Sequence, residues 1–195
     1  MSDHPVQLEV TIPVRTARLH VVTRLALMVA LGVVGTSALT WALYLAIPAV
    51  VALVISQKGG EPYVTEASQP IVKVLRWFAS AYGYLWMLTD VLPTTQGGPV
   101  ELHVRPEGQP TMGSALLRLI TSLPALLLLA LLSALAGLLW IVAAVVVLVR
   151  ERMPDAIARF IALVLRFQFR LVAYHLSIVD QYPSLQEGTL VHASA

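Results

Sequence analysis

The chain of 195 residues has no cysteine, few charges and two long stretches with no charge at all. Without cysteine there is no disulfide framework, thiolate metal site or cysteine nucleophile. A soluble domain carries about 25% charged residues and about 45–50% apolar ones. Here 12% are charged, 57% are hydrophobic and the mean hydropathy is +0.77. That balance excludes a disordered chain and points away from a soluble enzyme toward a membrane protein. The net charge of +2 is too thin for nucleic-acid binding, which needs a dense basic patch. No Walker A loop, dinucleotide fingerprint, HExxH or G-x-S-x-G is present. The five histidines (His4, His20, His103, His175 and His192) have no metal-ligand spacing. The expectation is no enzyme, no cofactor and no metal.

What is there is organised around the two uncharged runs. Leu25 to Gln57 lies between Arg24 and Lys58, and Leu119 to Val149 lies between Arg118 and Arg150. A helix crosses the hydrocarbon core with about 20 apolar residues, so each run is long for one span and short for two. Arg15, Arg18, Arg24, Lys58, Lys73 and Arg76 flank the first run; Arg105, Arg118, Arg150, Arg152, Arg159, Arg166 and Arg170 flank the second. With both flanks of each run basic, the positive-inside rule puts both ends on the cytoplasmic side. The chain is then expected to turn round within each run, at Gly35-Thr36-Ser37 and at Ser133 to Gly137. This reading gives four membrane helices with both termini cytoplasmic, the alternative being two long tilted helices. The first 24 residues are polar and charged, unlike a cleaved signal peptide, so insertion as an uncleaved anchor is expected.

The sequence also repeats itself. Pro5-Val6-Gln7-Leu8-Glu9-Val10 recurs as Pro99-Val100-Glu101-Leu102-His103-Val104, each alternating like a half-buried strand. Further on, Val74, Leu75, Arg76, Tyr84, Asp90 and Pro93 recur 90 residues later as Val164, Leu165, Arg166, Tyr174, Asp180 and Pro183. The chain reads as two tandem units, 1–98 and 99–195, joined at Thr94 to Gly98. The first holds membrane run 25–57 and helix 70–92. The second holds membrane run 119–149, helix 154–180 and a polar tail, 184–195. Two equivalent strands can pair only if both units share one side of the membrane.

On a helical wheel, Asp155, Arg159, Arg166, Arg170, Ser177 and Asp180 fall within roughly an 80° sector. A narrow polar stripe on an apolar helix suits an element lying in the membrane interface. Arg159, Arg166 and Arg170, with Lys73 and Arg76 in the first unit, are therefore expected to contact lipid or a partner. Tyr84, Asp90, Pro93, Tyr174, Asp180, Tyr182 and Pro183 are expected to be structural. His175 shares the apolar face with Gln168, and its spacing from Asp180 puts the two on different faces.

Several of these features occur together: the Pro-Val-x-Leu-x-Val strand, an arginine before an apolar run, Arg152-Met153-Pro154, Leu165-Arg166-Phe167, Arg170, Tyr174, Asp180 and Tyr182-Pro183. The set resembles a family of small bacterial membrane proteins known only as a domain of unknown function. The resemblance is strongest from about Arg150 to Leu185. Ser184-Leu185 stands where that family often continues Pro-Phe, and the first unit keeps only Arg76, Tyr84, Asp90 and Pro93. The resemblance implies a bacterial inner-membrane location and brings no activity, substrate or cofactor.

The sequence thus predicts an all-α integral membrane protein of two tandem units, each a short strand, a transmembrane hairpin and an amphipathic interfacial helix. The expected role is a non-enzymatic accessory or scaffold subunit that engages membrane lipids or a protein partner, or forms a homo-oligomer, at the cytoplasmic face. The alternative is a carrier of lipid or apolar small molecules between the two units, favoured by a cavity lined by Gln168, His175 and aromatics.

Overall fold

The computed structural model describes residues 4–35, 38–93, 98–185 and 190–192. Strand β1 (Val6–Ile12) buries Val6, Leu8, Val10 and Ile12, as a period of two demands. Helices α1 (Arg18–Gly35) and α2 (Ala38–Lys58) follow. A helical turn α3 (Gly60–Pro62) and a π-helical turn (Tyr63–Ala67) lead into α4 (Ser68–Leu85). Then come β2 (Val100–Val104), α5 (Met112–Thr121), α6 (Leu123–Arg150), α7 (Asp155–His175) and β3 (Leu190–His192).

The two alternating segments pair antiparallel, with Val6 opposite Val104, Leu8 opposite Leu102 and Val10 opposite Val100. Centring on Leu8 and Leu102 gives the strand pair a local two-fold axis normal to the sheet. On the other side of β1, β3 adds a parallel strand along Val10–Ile12. A segment expected as a polar tail therefore contributes to the sheet.

One face of the sheet is covered by α4 and α7. Gly83 lets α4 come close to β2, since a Cβ there would lie 2.6 Å from a methyl of Val100. Helix α7 is buried on most sides, including Ala158, Ile161, Leu165, Phe169 and Leu171. Each large apolar side chain so buried contributes about 1.5–3 kcal/mol. Helix α6 packs against α7 on the side away from the sheet: Ser122, just before α6, meets His175 at the end of α7. Ala125 packs with Phe167 and Leu171 further along. The described fold is mostly helical, with one small sheet.

Two expectations change here. The second apolar run does not turn at Ser133 to Gly137, because α6 is continuous through it. A lone Gly137 costs only about 1 kcal/mol relative to alanine. The break falls instead at Ser122, two residues before Pro124, which sits in the first turn of α6 where its missing N–H is harmless. In the first run, α1 ends at Gly35 and α2 begins at Ala38; Thr36 and Ser37 lie outside the described residues. Among the described residues, one helix, Leu123–Arg150, is long and apolar enough to cross a membrane, rather than four.

The helices expected at 70–92 and 154–180 end earlier, at Leu85 and His175. Met87 and Ser177 adopt left-handed backbone, with φ of 60° and 55°, and turn the chain out of each helix. The second of these helices does not lie exposed along an interface, because α6 and the sheet cover it on opposite sides.

Candidate functional site

Two arginine-centred clusters stand out, and they correspond group by group. In the first, Arg24 of α1 is fully buried and lies over the ring of Tyr84, 4.6 Å from its centroid. Its Nη2 donates to the Thr89 carbonyl and to Asp90 Oδ1, both at 2.6 Å. The other oxygen of Asp90 accepts the Ala17 N–H at 2.8 Å, at the start of α1. The negative carboxylate there also favours the positive end of the helix dipole.

In the second, Arg118 of α5 lies over the Tyr174 ring, also 4.6 Å from its centroid. Its Nη1 donates to the carbonyls of Tyr174 and Val179 at 2.9 and 2.6 Å, and its Nη2 pairs with Asp180. Tyr174 Oη is hydrogen-bonded to Thr121 Oγ1 at 2.9 Å. Gly108, with φ +103°, sits against the Asp180 carboxylate where no side chain fits. The two turns that carry the aspartates share their bonding: Leu88 N donates to Gly83 O, and Ile178 N to Ala173 O.

Part of the arginine stripe has a different task from the expected one. Arg166 and Arg170 are buried, and their Nε atoms donate to the carbonyls of Leu8 and Val6 at 2.9 and 3.2 Å. Arg76, half-buried, donates in the same way to Leu102 O at 3.2 Å. The carbonyls of Pro5 and Pro99 are bonded across the β1–β2 pair, so those of Val6, Leu8 and Leu102 point to the outer edges. Arginines from α7 and α4 thus satisfy edge groups that would otherwise be orphaned or recruit another strand. A guanidinium committed inward in this way does not lie on a surface strip. Arg159 and Lys73 are exposed.

The expected structural residues divide between the clusters and their margins. Tyr84, Asp90, Tyr174 and Asp180 sit in the clusters. Tyr182 stacks edge-on against Tyr174 with ring centroids 5.4 Å apart; Pro183 is buried and Pro93 half-buried. In the sequence Arg24 and Arg118 stand only as flanks of the apolar runs. Their separation of 94 residues, the same as that of the strands, was the signal that could have found them.

His175 is buried, with Nδ1 3.3 Å from Ser122 Oγ and its ring stacked on Tyr44 at 4.9 Å. Burial lowers its pKa from the ordinary 6.5. His4 is buried too, and burial, reinforced by the charge of Arg170, lowers it to about 4. Among the described residues, no three His, Asp or Glu side chains gather where they could hold a metal ion.

A groove of about 460 Å³ opens between α2, the start of α4 and the end of α7, lined by Ile47, Val50, Val51, Val54, Tyr63 and Leu176 among others. Tyr63 Oη donates to Leu176 O at 2.5 Å at its margin. Gln168 and His175 are not among the lining residues.

No curated protein and no solved structure matches the chain. A family match covers the second cluster from Arg118 to Asp180 and leaves Gly108 and the first cluster outside. Residues 113–185 match the model of a domain of unknown function, DUF4389.

Proposed function

We propose that the chain is a non-enzymatic protein of the bacterial inner membrane, built of two tandem units. Its role would be that of an accessory or scaffold subunit engaging lipid or a protein partner at the cytoplasmic face. One observation carries the membrane reading. Leu19, Leu127 and Leu131 are each at least 70% exposed, and Val22, Leu138 and Val149 are more than 60% exposed. Such a continuous aliphatic surface on α1 and α6 is far larger than a soluble monomer tolerates. The outer face of the sheet is polar, with Glu9, Glu101 and His103 exposed. At about 1.5 Å per residue, α6 is about 42 Å long, enough to cross a core of about 30 Å with tilt.

The tandem units are supported by the strand register, by the matching arginine clusters and by the exchange of arginines between units. Arg76 binds the strand of the second unit and Arg166 that of the first. A local axis normal to the sheet speaks for units that meet the membrane from the same side, unlike inverted repeats. The test is membrane fractionation combined with cysteine labelling, which the absence of native cysteine makes clean. The protein should resist alkaline carbonate extraction. Cysteine at Glu9 should react with an impermeant maleimide only after the inner membrane is opened. Recovery as a soluble protein without detergent would overturn the reading.

The apolar groove beside Tyr63 favours a second reading, a binder of apolar molecules between the units. Val51→Trp should then reduce the lipid or apolar solute that co-purifies with the protein, and unchanged content would count against it.

A further inference from the structure

Where α1 begins, α6 ends. Thr16 N donates to Glu151 O at 2.9 Å, Arg18 pairs with Glu151 at 3.0 Å, and Arg18 Nη2 reaches Val149 O. Four exposed arginines flank this junction: Arg15, Arg18, Arg150 and Arg152. Arg15, Arg150 and Arg152 have no acidic partner among the described residues. Nearby, Asp155 and Arg159 at the start of α7 offset one another, and Asp90 is committed to Arg24. The junction therefore carries an excess of positive charge.

Two further observations say what that charge meets. First, the collar continues directly into exposed aliphatic surface on both helices: Leu19 and Val22 after Arg18, Leu148 and Val149 before Arg150. Basic groups over an apolar belt match an amphiphile with an anionic head and hydrocarbon tails, rather than a nucleic acid or a soluble acidic protein. Second, Arg24, fully buried, has no hydrogen-bond partner for Nε or Nη1. Thr16 Oγ1, just before α1, and His20 Nδ1, in its first turn, are also buried without a hydrogen-bond partner. Asp90 bonds both Ala17 N and Arg24, which holds the guanidinium beside the first turn of α1. Buried donors of this kind call for an acceptor.

We propose that the α1–α6 junction binds the headgroup of an anionic phospholipid, with Arg15, Arg18, Arg150 and Arg152 around the phosphate and Arg24 donating to its oxygens beside His20. The proposal rests on the membrane reading above and gives it a lipid class and a site other than the arginine stripe.

The test uses full-length protein purified in non-ionic detergent and offered phosphatidylglycerol and phosphatidylcholine in equal amounts. Native mass spectrometry should find phosphatidylglycerol enriched on the wild type, and its addition should raise Tm. Each collar arginine replaced by Gln should weaken binding about fivefold, and the quadruple variant should lose the enrichment. His103→Gln, on the outer face of the sheet, should keep it. Arg24→Lys retains the pair with Asp90 but removes the guanidinium donors, so it should keep the enrichment and lose most of the Tm gain. Enrichment that survives in the quadruple variant overturns the proposal and leaves the membrane reading intact. A Tm gain from inorganic phosphate equal to that from the lipid overturns the lipid assignment, and a full gain in Arg24→Lys removes Arg24 from the site. Protein that is soluble without detergent and retains no lipid overturns both.

Discussion

Arg24 and Arg118 occupy matching places in two parts of the fold, each over a tyrosine and each paired with an aspartate beyond a left-handed turn. They differ in how fully the guanidinium is used. Arg118 bonds two carbonyls besides Asp180, and Asp180 is about half exposed. Arg24 bonds one carbonyl besides Asp90, with its side chain fully buried and that of Asp90 only 23% exposed. The same motif is therefore closed and wet in one place, and dry with donors to spare in the other. A closed cluster is a structural clasp. A dry one with open donors is strained unless something else completes it.

The largest expected effect separates the two aspartates. Asp90→Asn strips a buried arginine of its counter-charge, a change that costs about 3–5 kcal/mol in comparable buried pairs. Asp180→Asn should cost less, because solvent reaches that carboxylate and Arg118, though buried, keeps both carbonyls. Thermal unfolding in mild detergent measures the difference. Equal losses would erase the distinction between a dry and a wet cluster.

Next comes Gly108. Its positive φ and its contact with Asp180 make Gly108→Ala strained at both backbone and side chain, a loss of about 1–3 kcal/mol. Hydrogen exchange should show protection lost in α5 and in the turn after α7, with α1 still protected. Loss spread evenly over both clusters would mean that they unfold as one. A smaller effect is expected of Thr121→Val, which removes the hydroxyl partner of Tyr174 and should cost about 0.5–1.5 kcal/mol.

Much of this arrangement was legible in the residues. The alternating Pro-Val-x-Leu-x-Val segments specify strands because only a period of two puts Val6, Leu8 and Val10 on one face, and their near-identity foreshadows their pairing. The Tyr84–Asp90 and Tyr174–Asp180 spacing marked both turns. What could not be read was direction. A helical wheel groups Arg159, Arg166 and Arg170 on one face, but it does not say that the neighbour of that face is a strand edge with carbonyls to satisfy. Small residues suggest a break at Ser133 to Gly137, whereas Pro124 is the stronger local reason for the one at Ser122. A lone arginine before an apolar run, such as Arg24 or Arg118, reads as a snorkelling flank until its carboxylate partner is known.

The smallest effect at neutral pH, and a sharper one in acid, comes from a position where the two halves differ in kind. His175 stands where the first half has Leu85, 90 residues earlier. Burial holds His175 below its ordinary pKa of 6.5, and His4 near 4, so the fold prefers both rings neutral. Protonation then favours the unfolded chain. Stability from these groups is fully present above pH 6.5 and is lost as pH falls from 6.5 toward the depressed values. His175→Leu makes the second half resemble the first and removes one titrating ring together with its buried, unpartnered Nε2. The variant should change little at pH 7.5, yet the drop in Tm between pH 7.5 and pH 5 should shrink, with His4 supplying what remains. An undiminished drop would mean that His175 is not held neutral, and that the halves differ at this position only in shape.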